Sequence, residues 1–171
     1  SGLVATVRRR MSRYNRQIKL TEVGLEGQEK LRNAKVLLVG VGGLGCPAAM
    51  FLAGAGVGKM GLMDHDKVDM SNLHRQVLFQ ESDVGKSKGV VAKERLEKQN
   101  SEVQFEVYEE PLTIENAKSI IQQYDVVLDG TDNFETKYLI NDACILADKP
   151  WVFASIYKNE GQLSVFNYQN G

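Results

Sequence analysis

The sequence predicts an α/β fold: an open, doubly wound, mostly parallel sheet with two closing strands at its C-terminal end. Three observations carry this expectation. Short, uninterrupted apolar runs such as Lys35-Val36-Leu37-Leu38-Val39 suit strands buried on both faces of a parallel sheet. Segments of helical length and period separate these runs, so strand and helix alternate. A glycine-rich turn joins the first strand directly to a helix.

At the start of the chain, Ser1-Gly2 reads as a cloning remnant and Arg8, Arg9 and Arg10 as a solvated basic tail. Residues 1–12 are thus expected to be a flexible tail and residues 13–171 the folded domain. An amphipathic helix with Leu25, Gln28, Glu29 and Leu31 is expected from Gly24 to Asn33, before the strand from Lys35 to Val39. A small-residue helix then runs from Leu44 to about Ala55, and a second strand from Lys59 stops at Asp64. The polar stretch around Ser71 to Gln76 leads to a charged helix from about Ser87 to Gln99. Alternation from Val103 to Tyr108 marks a third strand, and Thr113 is a natural cap for a helix reaching Gln123. Asp125 to Asp129 is the next strand, with a helix from about Glu135 to Ala147 behind it. Trp151 to Ile156 and Gln162 to Tyr168 are the closing strands, with Asn159-Glu160-Gly161 as their turn.

A chain of 171 residues, 43% of them hydrophobic, suits one domain against a prior of about 150 residues per domain. The net charge of −1 supplies no basic footprint, so no nucleic-acid partner is expected. No apolar run approaches the ~20 residues of a membrane helix, and no membrane association is expected. Cys46 and Cys144 stand far apart and outside any CxxC pair, which excludes a disulfide framework or a complete cysteine zinc site. The expected compartment is the cytoplasm.

The chemical signals begin with Gly40-Val41-Gly42-Gly43-Leu44-Gly45, a GxGxxG run between strand and helix. Without side chains, such a turn lets backbone N–H groups and the positive helix end approach phosphate oxygens. A tight strand–helix turn recruits glycine for packing as well. Asp64 ends the second strand, where a carboxylate can accept hydrogen bonds from ribose hydroxyls; Asp66 and Asp69 nearby share that chemistry. To this point a nicotinamide dehydrogenase fits equally well. Asn72, Arg75 and Gln76 then add amide groups and a planar cationic fork, and Lys88 adds a point charge. That much positive charge facing a glycine loop suits a triphosphate better than a dinucleotide. Asp132, in Thr131-Asp132-Asn133, lies on the same edge of the sheet and can ligate Mg²⁺, while Asp132 or Asn133 can equally cap the following helix.

Arg13-Tyr14-Asn15-Arg16-Gln17-Ile18, the glycine run, the DxDxVxxSNLxRQ pattern from Asp64 to Gln76, Lys86-Ser87-Lys88 and Thr131-Asp132-Asn133 occur together and in this order. Their combination closely resembles the ubiquitin-activating superfamily, in its MoeB/ThiF branch. The resemblance runs from about Arg13 to the end and implies a Rossmann-like adenylating domain. Members of that branch adenylate the C-terminal glycine of ubiquitin-like sulfur carriers, for molybdopterin, thiamine or tRNA thiolation. The resemblance implies ATP and Mg²⁺ as ligands, with Gly40, Gly42, Gly43 and Gly45 at the phosphates and Asp64 at the ribose. It implies further ATP contacts from Asp66, Ser71, Asn72, Leu73, Arg75, Gln76 and Lys88, and magnesium on Asp132 with Asn133 alongside. It also implies a homodimer in which Arg16 reaches the neighbouring subunit's ATP; Arg16, Arg75, Lys88 and Asp132 are then the catalytic set.

The branch usually continues past the position of Gly171 into paired CxxC zinc motifs and a carrier-binding region, so the chain is expected to be C-terminally truncated, with zinc only in the missing part. Cys46 and Cys144 are expected to be buried structural thiols rather than covalent carriers. His65 and His74 are expected to be plain loop residues, because an ionised carboxylate attacking a phosphate needs no acid–base group. Two competing readings stand beside this one. A nicotinamide-dependent dehydrogenase is opposed by the Ser71–Gln76 cluster and by the lack of a second catalytic domain. A non-catalytic half of a heterodimeric activating enzyme is opposed by the presence of Arg75, Lys88 and Asp132.

Overall fold

The structure, a computed structural model, describes residues 12–169; the tail residues Ser1-Gly2 and Arg8 to Arg10 lie outside the described residues. A short helix α1 (Asn15–Ile18) precedes helix α2 (Gly24–Asn33), strand β1 (Lys35–Val39), helix α3 (Gly45–Ala55) and strand β2 (Lys59–Met63). After two 3-10 turns, Met70–Asn72 and Glu81–Asp83, come helix α4 (Lys88–Gln99), strand β3 (Gln104–Tyr108) and helix α5 (Ile114–Ile121). Strand β4 (Val126–Asp129), helix α6 (Phe134–Ala147) and strands β5 (Trp151–Tyr157) and β6 (Glu160–Phe166) complete the order.

The strands form one sheet in the order β3-β2-β1-β4-β5-β6. All neighbours are parallel except β5 and β6. The expected doubly wound architecture with closing C-terminal strands is therefore present. In β1 the side chains alternate between two cores. Val36 and Leu38 join Met60, Leu62, Ala49, Ala53, Val91 and Leu96 under α3 and α4. Leu37 and Val39 join Val127, Ile121, Ile140 and Trp151 under α5 and α6. Burial on both faces is why the run is apolar without interruption.

The chain reverses its direction of sheet growth between β1 and β4, which are direct neighbours. In open α/β sheets the crevice at the carboxyl ends of such strands is the place for a ligand. The two walls meet through glycines. Gly40 has φ 88, and a Cβ there would lie 2.9 Å from the Gly130 carbonyl carbon. A Cβ on Gly45 would overlap the Gly40 carbonyl oxygen. Any side chain here forces apart the turn after β1 and the turn after β4.

The segment Arg13–Ile18 docks at the opposite end of α3. Tyr14 is buried, accepts a 2.8 Å bond from Asn100 Nδ2 and packs on Gly56. Gln17 donates to the carbonyl of Ala55, the last residue of α3, at 2.8 Å. Short helix α1, which hydrophobic periodicity did not single out, is set by these anchors.

The closing hairpin corrects the expected turn. Tyr157 pairs with Glu160, so Lys158-Asn159 is the turn and β6 spans Glu160–Phe166 rather than starting at Gln162. Lys158 takes the left-handed conformation, φ 55, within this two-residue turn. The outer edge of β6 is unpaired among the described residues, and the strand is exposed along its length. No helix among the described residues is long and apolar enough to cross a membrane.

Candidate functional site

At the carboxyl edge of the sheet lies a cleft of about 360 Å³, within the size range of small-molecule sites. Its floor is the turn after β1. The N–H groups of Gly42, Gly43 and Leu44 find no acceptor among the described residues, although all three residues line the cleft. Free amides at the start of an 11-residue helix form an anion seat. Asp64 fixes the entry to this loop: its Oδ2 accepts from Val41 N at 2.7 Å and its Oδ1 from Asp66 N at 2.9 Å.

The loop between β2 and α4 brings in the cations. Lys88, the first residue of α4, is only 5% exposed, and its Nζ donates to Asp66 Oδ2 at 3.1 Å. Ser87 caps the helix, and an antiparallel bridge between Lys67 and Ser87 folds the loop back so that Lys88 faces the cleft. Arg75 lies along Gly43, with Cγ and Cδ 3.5 Å from the position of a Cβ there, and its guanidinium has no carboxylate partner among the described residues. Gln76 lines the cleft while 4% exposed, and its buried Oε1 has no partner among the described residues.

The opposite wall is the Gly130–Asn133 turn. Asn133, not Asp132, caps α6: its Oδ1 accepts from Thr136 N at 2.9 Å. Asp132 is exposed in the cleft with no hydrogen bond or ion pair among the described residues. No group of three or more acidic, histidine or cysteine side chains among the described residues forms a metal cage. One free hard carboxylate fits Mg²⁺, which usually takes one or two protein carboxylates and completes its shell with phosphate and water oxygens.

Of the residues singled out from sequence, Gly40, Gly42, Gly43, Asp64, Asp66, Arg75, Gln76, Lys88, Asp132 and Asn133 line this one cleft. Gly45, Ser71, Asn72 and Leu73 do not line it. Gly45 packs against the Gly40 carbonyl, and Ser71 donates to Asp69, which caps the Met70–Asn72 turn. Arg16 is exposed beside the far end of α3, about 15 Å of helix away from the glycine turn. His74 Nδ1 lies 3.0 Å from the Ser71 carbonyl, whereas His65 borders the cleft on an exposed loop. Cys46 and Cys144 are buried and free; desolvation pushes their thiols up to about 11 and about 12.

Sequence reasoning missed a buried pair behind the cleft wall. Asp129 Oδ2 accepts from Lys137 Nζ at 2.9 Å, and Asp129 Oδ1 from Thr131 N at 2.9 Å and Thr131 Oγ1 at 2.6 Å. The available signal was a carboxylate ending a strand buried on both faces, a position that demands a partner.

The ThiF family model matches residues 14–171. The chain is 52% identical to the adenylyltransferase and sulfurtransferase MOCS3 of Anopheles gambiae over 161 residues, 94% of this chain and 36% of that protein. It is 50% identical to the sulfur carrier protein adenylyltransferase of Thermus thermophilus, over 92% of this chain and 58% of that protein. The chain thus spans about a third to a little over half the length of these curated relatives. Among solved structures, E. coli MccB with MccA-N7isoASN is similar at TM-score 0.81 and 31% identity, covering 90% of this chain and 46% of that one. PaaA is similar at TM-score 0.82 and 26% identity, covering 95% and 53%.

Proposed function

The chain belongs to the ThiF family, and on that premise we propose that its cleft binds ATP with magnesium and adenylates the C-terminal glycine carboxylate of a ubiquitin-like sulfur-carrier protein. One observation supports this above the rest. The glycine-turn amides, Arg75 and Asp132, all without a partner among the described residues, and the buried Lys88 converge on one cleft at the point where the sheet reverses. The relatives' names, adenylyltransferase and sulfur carrier protein adenylyltransferase, point to the same chemistry.

In this reading the amides of Gly42, Gly43 and Leu44 hold phosphate oxygens and Asp64 accepts from the ribose hydroxyls. The carrier carboxylate, already ionised, attacks the α-phosphorus in line. A carboxylate oxygen–phosphorus bond forms, the α–β bridging bond breaks, and pyrophosphate leaves with its electron pair. No proton transfer is required. Catalysis is alignment and charge neutralisation by Arg75 and Lys88, the latter already held against Asp66. Magnesium held by Asp132 supplies further neutralisation of the phosphate charge when bound. We propose, too, a homodimer in which Arg16 serves the neighbour's site; its distance from its own cleft supports this.

The test is carrier-dependent ATP–pyrophosphate exchange, accompanied by calorimetric titration with ATP–Mg²⁺ and with NAD. Exchange that needs the carrier, and ATP bound in preference to NAD, are the expected results. NAD binding with no detectable ATP binding would refute adenylation in favour of hydride chemistry. ATP binding without exchange points to a scaffold half.

A further inference from the structure

Lys137 is a lysine with almost no access to water. Its side chain is 6% exposed, that of Asp129 is 0% exposed, and the two are joined at 2.9 Å. An ion pair this dry is costly to maintain unless the remaining protons and lone pairs are also satisfied. Here they tie the Gly130–Asn133 wall of the cleft to the neighbouring strand β5. Lys137 Nζ also donates to the Ala154 carbonyl of β5 at 2.9 Å and sits 4.7 Å over the Phe153 ring. The next two residues, Ser155 and Ile156, line the cleft. The other oxygen of Asp129 takes both the amide and the hydroxyl of Thr131, the residue immediately before Asp132.

We propose that Lys137 is a positioning residue, which through Asp129 sets the Thr131-Asp132 turn in the geometry that captures the metal of an ATP–Mg²⁺ complex. The inference rests on the reading of Asp132 as the magnesium ligand. Asp132 has no hydrogen bond of its own among the described residues, so its placement comes from the backbone of the turn. That backbone is bonded to Asp129, and Asp129 is locked by Lys137 to α6 and β5 at once. The helix cap at Asn133 fixes only the far side of the turn. An outer-sphere group of this kind tunes metal affinity without touching the metal.

The test compares ATP binding by calorimetry in magnesium and in EDTA, using the whole chain. The ratio of the two dissociation constants is the magnesium-dependent gain. Lys137→Met leaves Asp129 buried and unpaired and risks unfolding. Asp129→Asn/Lys137→Met carries no buried charge and keeps an acceptor for Thr131, so it is measured alongside, with circular dichroism as the fold check. Both are expected to lose about tenfold or more of the gain, the usual effect of an outer-sphere change, with metal-free ATP binding as in the wild type. Asp132→Ala, the control, is expected to lose the gain as well. If Asp132→Ala loses it and the folded Lys137 variants keep it, the positioning role falls and the metal reading stands. Should Asp132→Ala keep the gain, or the wild type show none, the metal reading falls and takes this inference with it. Equal weakening in magnesium and in EDTA means general damage to the cleft and also overturns the proposal.

Discussion

Asp132 and Asn133 are neighbours with separate duties. The amide of Asn133 closes the first turn of α6, whereas the carboxylate of Asp132 bonds to nothing among the described residues. Asn133→Ala should therefore cost about 1 kcal/mol as a lost helix cap, and Asp132→Ala should change stability by less than about 0.5 kcal/mol. Pyrophosphate exchange should fail in Asp132→Ala with the fold intact. Urea melts and exchange assays on the two variants check both halves, and normal exchange by Asp132→Ala would place the metal elsewhere. The thiols offer a second test at this scale. Folding raises Cys46 from 9.0 to about 11 and Cys144 from 9.0 to about 12, mainly by desolvation. Below pH 9 both stay protonated in either state, so they oppose nothing. As pH climbs from 9 through 11 and 12, the unfolded chain loses protons that the folded one keeps, and stability must fall. At pH 8 iodoacetamide should label neither thiol in the native chain and both in denaturant, counted by mass. Native labelling as fast as denatured labelling would contradict their burial.

At the scale of elements, helix α3 is the ruler of the site. Its first residue, Gly45, closes the glycine turn, and its C-cap Gly56, at φ 85, receives the Tyr14 ring. A Cβ on Gly56 would lie 2.6 Å from Tyr14 Cζ. Gly56→Ala therefore meets two penalties, the left-handed backbone at about 1–2 kcal/mol and displacement of Tyr14 from its bond to Asn100. We expect a loss of about 2 kcal/mol or more by urea titration, with α1 released and with it the fixed position of Arg16. A variant as stable as the wild type would mean that α1 is not docked as described. The helices from α2 onward and the central strands were legible from local pattern, helical length and period for the first and short apolar runs for the second, whereas short helix α1 was not. The closing hairpin was legible as two strands but not in register: β6 is exposed on both faces, so no buried stripe marks its phase.

For the whole molecule, the decisive fact is that Arg16 and the cleft lie at opposite ends of α3. A single chain does not bring them together; a twofold dimer can. Arg16→Ala and Asp132→Ala homodimers should each be inactive in exchange. Mixed and re-equilibrated in equal amounts, they should recover roughly a quarter of wild-type activity, because half the dimers are mixed and each has one complete site. If Arg16 acts within its own chain, every mixed dimer has two broken sites and nothing returns. That result, with subunit exchange verified independently, removes the trans assignment and leaves the adenylation chemistry standing.

The sequence by itself determined the alternation of strand and helix, the glycine turn between β1 and α3, and the group of Asp64, Arg75, Lys88 and Asp132 as chemically apt. Each is a matter of local pattern: period, a run buried on both faces, a turn that admits no side chain. Only the tertiary structure decided which of these share a space. It set β4 beside β1, pressed Gly130 onto Gly40, and so laid Asp132 across from Arg75 and Lys88. It also tied Lys137 to Asp129 and to Ala154 on the next strand, and carried Arg16 away from the cleft. The physical reason is the range of the forces. Backbone preference and hydrophobic period act over a few residues and are written along the chain. A buried ion pair or a glycine-to-glycine contact exists only after strands distant in sequence have been packed together and water has been driven out from between them.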